Sequence, residues 1–143
     1  MALGEPIFHV RVYSKPAGLP DAVSITIAGR AWRVLPDVRS AMLGSLSASW
    51  EAASAALEQL GAFVEPDGSL VWVGSGPPSW QVEGQLFERS DRLQFVELKG
   101  RCPAAKFDQL LSAFGWPATA LVFELVKEGV VVDEEEFRRL HAL

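Results

Sequence analysis

Apolar and polar residues alternate from Trp80 to Lys99 in the pattern of two β-strands. The strands are predicted over residues 80–89 and 92–99, joined by a hairpin turn at Ser90-Asp91. In a regular hairpin with this turn, Leu86 lies opposite Phe95. One face is then apolar and belongs to the core, with Trp80, Val82, Leu86, Leu93 and Phe95. The second face is mixed, with Phe87, Val96 and Leu98 among Gln81, Glu83, Gln85 and Gln94.

The apolar residues that follow the hairpin have helical spacing. They fall at i, i+3, i+4 and i+7, namely at Phe107, Leu110, Leu111 and Phe114. A helix is predicted to begin at Pro103, because the first residue of a helix needs no N–H donor. Gly115 suits the left-handed residue that ends a helix. We expect this helix to bury its apolar stripe against the apolar face of the hairpin.

The rest of the chain supplies more strands and a second helix. Alternation predicts strands at 7–13, 23–27, 31–35, 62–65 and 69–73, and the last two flank a Pro66-Asp67-Gly68 turn. Residues 62–99 therefore predict a four-stranded antiparallel meander. A single apolar seam predicts a firm helix from about Ser47 to Leu60, which could extend back to Asp37, with Gly61 as its stop.

The C-terminal part is ambiguous between helix and strand. The β-branched and aromatic residues of 120–127 favour a strand, but Leu121, Val122, Leu125 and Val126 also fit one face of a helix. Gly129 follows this segment in the way that Gly115 follows the helix predicted from Pro103, which favours a helix for residues 120–127 by a small margin. Asp133 and Glu136 then have the spacing of a capping box at the start of a last helix.

These elements predict the fold class α+β. We expect a largely antiparallel sheet of six or seven strands with the helices packed mainly on one face, in a single domain over residues 1–143. A chain of this length can bury a core without disulfides or metal.

Charge and composition exclude some classes of partner. The net charge is −5, and no segment carries the basic stripe that a phosphate backbone requires, so we expect no nucleic acid partner. No apolar run approaches the roughly 20 residues of a membrane helix. One cysteine cannot form an internal disulfide, and no secretion signal is visible. The expectation is a soluble, cytoplasmic protein without membrane contact.

The sequence offers little catalytic chemistry. We expect no metal site, because the chain has only two histidines and one cysteine and none of them is at ligand spacing. We expect no cofactor, because the sequence contains no phosphate-binding or dinucleotide-binding motif. Cys102 is a weak catalytic candidate, because a predicted helix start and the nearby Lys99, Arg101 and Lys106 would lower a thiol pKa. The competing interpretation is a small buried hydrophobe, and no histidine is placed to act as its base.

The expected function is therefore non-catalytic binding, as an adaptor or regulatory protein with a protein partner or a second copy. The predicted interaction surface combines the mixed hairpin face with tryptophans at element ends: Trp80, Phe87, Val96, Leu98 and Trp116. One alternative is a protein that binds a small apolar ligand between sheet and helices. A less favoured alternative is a thiol-dependent enzyme that uses Cys102.

Overall fold

The structure, a computed structural model, describes residues 7–36, 38 and 44–143. Within these residues the chain forms nine strands and three helices. The strands are β1 (Phe8–Ser14), β2 (Val23–Ile27), β3 (Arg30–Val34), β4 (Phe63–Val64), β5 (Ser69–Gly74), β6 (Trp80–Arg89), β7 (Arg92–Arg101), β8 (Leu121–Leu125) and β9 (Val130–Asp133). The helices are α1 (Trp50–Leu60), α2 (Ala104–Ser112) and α3 (Glu134–His141).

Seven strands form one sheet in the order β4-β5-β6-β7-β1-β8-β9, and every neighbouring pair is antiparallel. The strands β2 and β3 form a separate two-stranded hairpin. The first four strands of the sheet follow one another along the chain, which confirms the predicted meander over residues 62–99. The α+β class with a largely antiparallel sheet is also confirmed.

The helices pack on one face of the seven-stranded sheet. The apolar stripe predicted for α2 is completely buried there: Phe107, Leu110 and Leu111 of α2, and Phe114 just after it, are all at 0 % exposure. The same core contains Leu57 of α1 and Phe137 of α3. It also contains the inward-facing strand residues Phe8, Val10, Val12, Val82, Leu86, Val96 and Leu98. The predicted burial of the helix stripe is therefore confirmed.

The predicted register of the β6–β7 hairpin was wrong by one residue. Phe87 lies opposite Phe95 and Leu86 opposite Val96, with a bulge after Phe87. Glu88 then lies opposite Leu93, so Gln94 is the extra residue that a bulge leaves unpaired. One inserted residue moves every later side chain of that strand to the other face.

This shift exchanges the predicted faces of β7 from Phe95 onward, whereas Leu93, before the bulge, is buried as predicted. Val96 and Leu98, predicted on the mixed face, are buried in the core at 0 % exposure. Phe95, predicted in the core, lies on the mixed face beside Phe87. The assignments for β6 are unaffected, because that strand alternates without interruption: Val82 and Leu86 are buried, whereas Phe87 is partly exposed.

The helix favoured for residues 120–127 was also wrong, because residues 121–125 form the strand β8. All five of its residues are buried, since β8 lies between β1 and β9 and both of its faces are covered. A strand buried on both faces loses its period-two pattern and resembles a buried helix. The predicted last helix is confirmed, with the Asp133 side chain accepting a hydrogen bond from the Glu136 N–H.

The boundaries of the other two helices were predicted closely. The helix α1 begins after Ser49, which caps it by accepting a hydrogen bond from the Ala52 N–H, and it ends at the left-handed Gly61. The helix α2 begins at Ala104, one residue later than predicted, because Pro103 is its N-cap. It ends at Ser112, before the predicted stop at Gly115, although Gly115 does have the left-handed φ of 99°. The possible extension of α1 back to Asp37 falls partly on residues 37 and 39–43, which lie outside the described residues.

Candidate functional site

The sheet face opposite the helices carries the candidate site. We call it the open face and define it by the side chains of His9, Arg11, Tyr13, Val71, Glu83, Gln85, Phe87, Phe95, Glu97 and Lys99. The register aligns these side chains in rows across the strands. One row runs from Gln85 through Glu97 and Arg11 to Glu124, and the next carries Phe87 and Phe95.

The aromatic row is formed by three stacked rings. Phe87 and Phe95 have ring centroids 4.4 Å apart at an interplanar angle of 17°. Phe95 and Tyr13 are 5.0 Å apart at 27°, so the stack continues from β6 across β7 to β1. The Arg11 guanidinium lies 5.8 Å from the Phe95 centroid, within reach of a cation–π contact. Phe87 remains 36 % exposed at the outer end of the row.

The members of the charged row beside it pair with one another. The Glu97 carboxylate accepts a hydrogen bond from Arg11 Nε at 2.9 Å and contacts His9 Nε2 at 3.1 Å. Arg11 also approaches Glu124, with Nη1 3.9 Å from Oε1, and the Tyr13 hydroxyl donates to the same oxygen at 3.3 Å. Such cross-strand pairs of opposite charge fix side chains on a sheet surface.

The pKa shifts in this row do not favour acid–base catalysis. Partial burial would raise the pKa of Glu97, but the hydrogen bonds from His9 and Arg11 outweigh it and hold the pKa below the ordinary value of 4.5. Burial and the nearby Glu124 raise the pKa of Tyr13 above 10.0. A general base or acid works best with a pKa near the operating pH, and the pKa values of Glu97 and Tyr13 are both shifted away from neutral pH.

Only one end of this sheet face is covered. Over β8 and β9 a small apolar cluster of Leu35, Val38, Val122 and Val131 is buried, with Tyr13 and Leu19 packed against it. Over β5, β6 and β7 the described residues leave the face accessible to solvent. Glu83 and Lys99 are exposed there, and so is Val73 at 58 %. Phe63, on the neighbouring edge strand β4, is 71 % exposed.

A depression of about 570 Å³, open to solvent, lies near the far end of this region. Its lining includes Ile7, Val73, Trp80, Lys99 and Arg101. The Trp80 ring packs over Gly74, where an added Cβ would overlap the indole, and it meets Trp72 edge-on with centroids 4.8 Å apart. The depression therefore combines apolar surface with two cationic side chains and one carboxylate, that of Glu83.

The structure does not bring the predicted interaction residues together. Phe87 is on the open face, whereas Val96 and Leu98 are in the core. Trp80 is at the opposite end of β6 from Phe87. Trp116 belongs to the helix side, where its indole N–H donates to Glu134 at 2.6 Å and its ring lies 5.3 Å from the Arg138 guanidinium.

Cys102 has the properties of a structural cysteine. It is 3 % exposed, and burial raises the pKa of its thiol to about 12. A nucleophilic cysteine needs a lowered pKa and an accessible sulfur, so the neighbouring basic residues do not activate it. A thiol-dependent mechanism is disfavoured for this reason.

The described part of the chain shows no further chemical centre. No group of three or more His, Cys, Asp or Glu side chains among those residues is arranged to hold a metal ion. None of the described helices is long and apolar enough to cross a membrane.

Sequence reasoning missed the members of the open face that lie outside β6. Arg11 and Tyr13 alternate with the buried Val10 and Val12, so their shared face was visible in the sequence. The sequence did not show that Arg11 and Tyr13 lie beside Phe95, because β1 and β7 are far apart in the chain. The paired Glu97 had no local signal either.

Searches of known protein families, of curated proteins and of solved structures give no match to this chain.

Proposed function

We propose that this protein is a non-catalytic binding protein that recognises another protein through the open face of its sheet. The observation that carries the proposal is the aromatic row of Phe87, Phe95 and Tyr13, stacked and partly exposed on the face that the helices do not cover. Aromatic residues are enriched at protein interfaces, because they bury much area at little cost in conformational entropy.

The composition of the open face supports a protein partner. Its apolar side chains alternate with polar groups that are already paired, as Glu97 is with Arg11 and His9. Burying such a pair under a partner costs less than burying an unpaired charge. Interfaces between separately folded proteins have this mixture of an apolar centre and a polar rim.

The rigidity of the aromatic row is a second support. Phe95 is held between Phe87 and Tyr13, and Arg11 is fixed by its hydrogen bond to Glu97. Side chains that are ordered before association lose less entropy when the partner binds. The row therefore suits recognition of one defined surface.

A photo-cross-linking experiment in the organism that makes the protein tests this proposal. A photoreactive phenylalanine analogue replaces Phe87 in one variant and Gln109, exposed on α2, in the control. We expect a covalent product with a second polypeptide from position 87 and none from position 109. The purified partner should then bind the wild-type protein directly.

Two results would contradict the proposal. One is the absence of any cross-linked polypeptide at position 87 in cells where the protein is folded and abundant. The other is equal cross-linking from positions 87 and 109, which would indicate random collisions. A product twice the mass of this chain would identify the partner as a second copy.

Binding of a small ligand is a second candidate function, favoured by the depression beside Trp80. Its volume of about 570 Å³ is in the range of ligand sites, which run from about 300 to 1,000 Å³. Its apolar lining suits a ligand with an apolar body, and Arg101 can bind an anionic group of that ligand, whereas Lys99 lies opposite the carboxylate of Glu83. This candidate predicts no trapped polypeptide at position 87.

A further inference from the structure

The tip of the β6–β7 hairpin carries two arginines that face each other. Arg89 lies directly opposite Arg92 in the register, and both are exposed. Like charges directly opposite on a sheet destabilise the pairing. None of the ion pairs among the described residues involves either arginine. The tip thus holds two arginines that form no ion pair in the described chain, although Glu88 and Asp91 next to them balance their formal charge.

The register also places both arginines on the side of the open face. Phe87 is on that face, and Arg89 follows it by two residues along β6, so strand alternation returns to the same side. Arg92 shares that side as the residue opposite. Glu88 lies opposite the buried Leu93 and therefore on the other side, while Asp91 occupies the turn.

This tip extends beyond the neighbouring strands of the sheet. The pairing of β5 with β6 ends at Gln85, and the pairing of β1 with β7 ends at Val96. Residues 86–95, which we call the arm, are paired as strands only with one another in the described chain. Two backbone hydrogen bonds also join the arm to neighbouring loops, from the Leu86 N–H to Gly68 and from the Leu46 N–H to Leu93. Phe87 and Arg89 on the arm are accessible to a partner from the end of the sheet.

We infer that the partner recognised by the open face presents an acidic segment in which carboxylates alternate with apolar side chains. The carboxylates bind Arg89 and Arg92, and the apolar side chains contact the edges of the Phe87 and Phe95 rings. Arginine favours carboxylates because its planar donors match the two oxygens of a carboxylate. The inference rests on the proposed function and specifies the chemistry of its partner.

A protein segment fits this surface better than a nucleic acid does. A phosphate backbone is bound by several cations along a groove, whereas the arm offers two arginines in a chain of net charge −5. A short acidic peptide, in contrast, can be bound through its carboxylates by one local pair of cations. Arg11, the next cation along the face, is already engaged by Glu97.

Selection from displayed peptide libraries tests the inference. Three libraries share alternating apolar positions and differ at the positions between them, which carry Asp and Glu, Lys and Arg, or Gln and Ser. We expect the purified wild-type protein to enrich only the acidic library. Replacing both arginines, Arg89→Gln with Arg92→Gln, should weaken the selected peptides at least about tenfold and reduce the salt dependence of binding.

Three variants and one extra ligand separate the possible outcomes. Binders that depend on Phe87, tested as Phe87→Glu, but not on the arginines would overturn the acidic partner and leave the proposed function standing. Binders that are indifferent to Phe87→Glu would contradict both. No binders at all would overturn the acidic segment, while the proposed function is decided by the cross-linking at position 87. Gln109→Glu should change nothing. Tight binding of a single-stranded oligonucleotide at physiological salt would overturn the inference in favour of nucleic acid.

Discussion

At the scale of single residues, helical spacing predicted burial correctly, because a helix repeats its own geometry without help from distant residues. Phe107 shows this well: it is fully buried and contacts the rings of Phe8, Phe123 and Phe137, with centroids 5.5 to 6.2 Å away. The four aromatic residues belong to four different elements, β1, α2, β8 and α3, so their convergence was not readable in the sequence.

The substitution Phe107→Ala is expected to destabilise the protein by ~3–5 kcal/mol, through lost burial and the cavity left among these rings. Urea denaturation measures the change. Phe63→Ala is the matched control, because Phe63 is 71 % exposed and its loss should cost less than ~0.5 kcal/mol. Similar losses for the two variants would show that the aromatic cluster is not the centre of the core.

At the scale of elements, the sequence predicted which segments form strands better than it predicted how they pair. The existence and turn of the β6–β7 hairpin were correct, and both turn residues have positive φ, 54° at Ser90 and 63° at Asp91. The bulge beside Gln94 was not predicted, since no residue there marks it. For β8, burial on both faces removed the alternation by which a strand is recognised.

The last helix gives a prediction about pH. The His141 ring lies 4.7 Å from Phe137 and 6.2 Å from Phe8, and its Nδ1 is buried without a hydrogen-bond partner in the described structure. Burial lowers the pKa of His141 below 6.5, although Glu128 opposes this and Arg30 adds to it. Between the ordinary pKa of 6.5 and the lowered pKa of the folded state, the unfolded chain therefore binds more protons than the folded one, and stability should fall as pH decreases through this range.

We expect the free energy of unfolding to decrease as the pH falls from about 7.5 to about 5, before the carboxylates titrate. His141→Phe keeps an aromatic ring in place and removes the titration, so its decrease should be smaller. His9 is present in both proteins and cancels in the comparison. Identical pH profiles for the two proteins would exclude His141 as the source.

At the scale of the whole molecule, the arrangement of helices and sheet decides where binding can occur. The helix side is sealed by α1, α2 and α3, while over β5, β6 and β7 the opposite face stays accessible in the described chain. The sequence predicted this layer structure and the exposed Phe87 on a mixed face. It could not predict that Phe95, Tyr13 and Arg11 complete that face, because strands distant in sequence supply them.

The most direct test of the central claim measures the affinity of Phe87→Glu for the partner trapped at position 87, together with its stability. The account predicts a Kd at least about tenfold weaker than that of the wild type, because the new carboxylate would be desolvated at the contact. The free energy of unfolding should fall by only ~1 kcal/mol, the value of a lost aromatic pair. Gln109→Glu should match the wild type in both measurements. An unchanged Kd, or global unfolding of Phe87→Glu, would contradict the account and leave Phe87 as an ordinary structural residue.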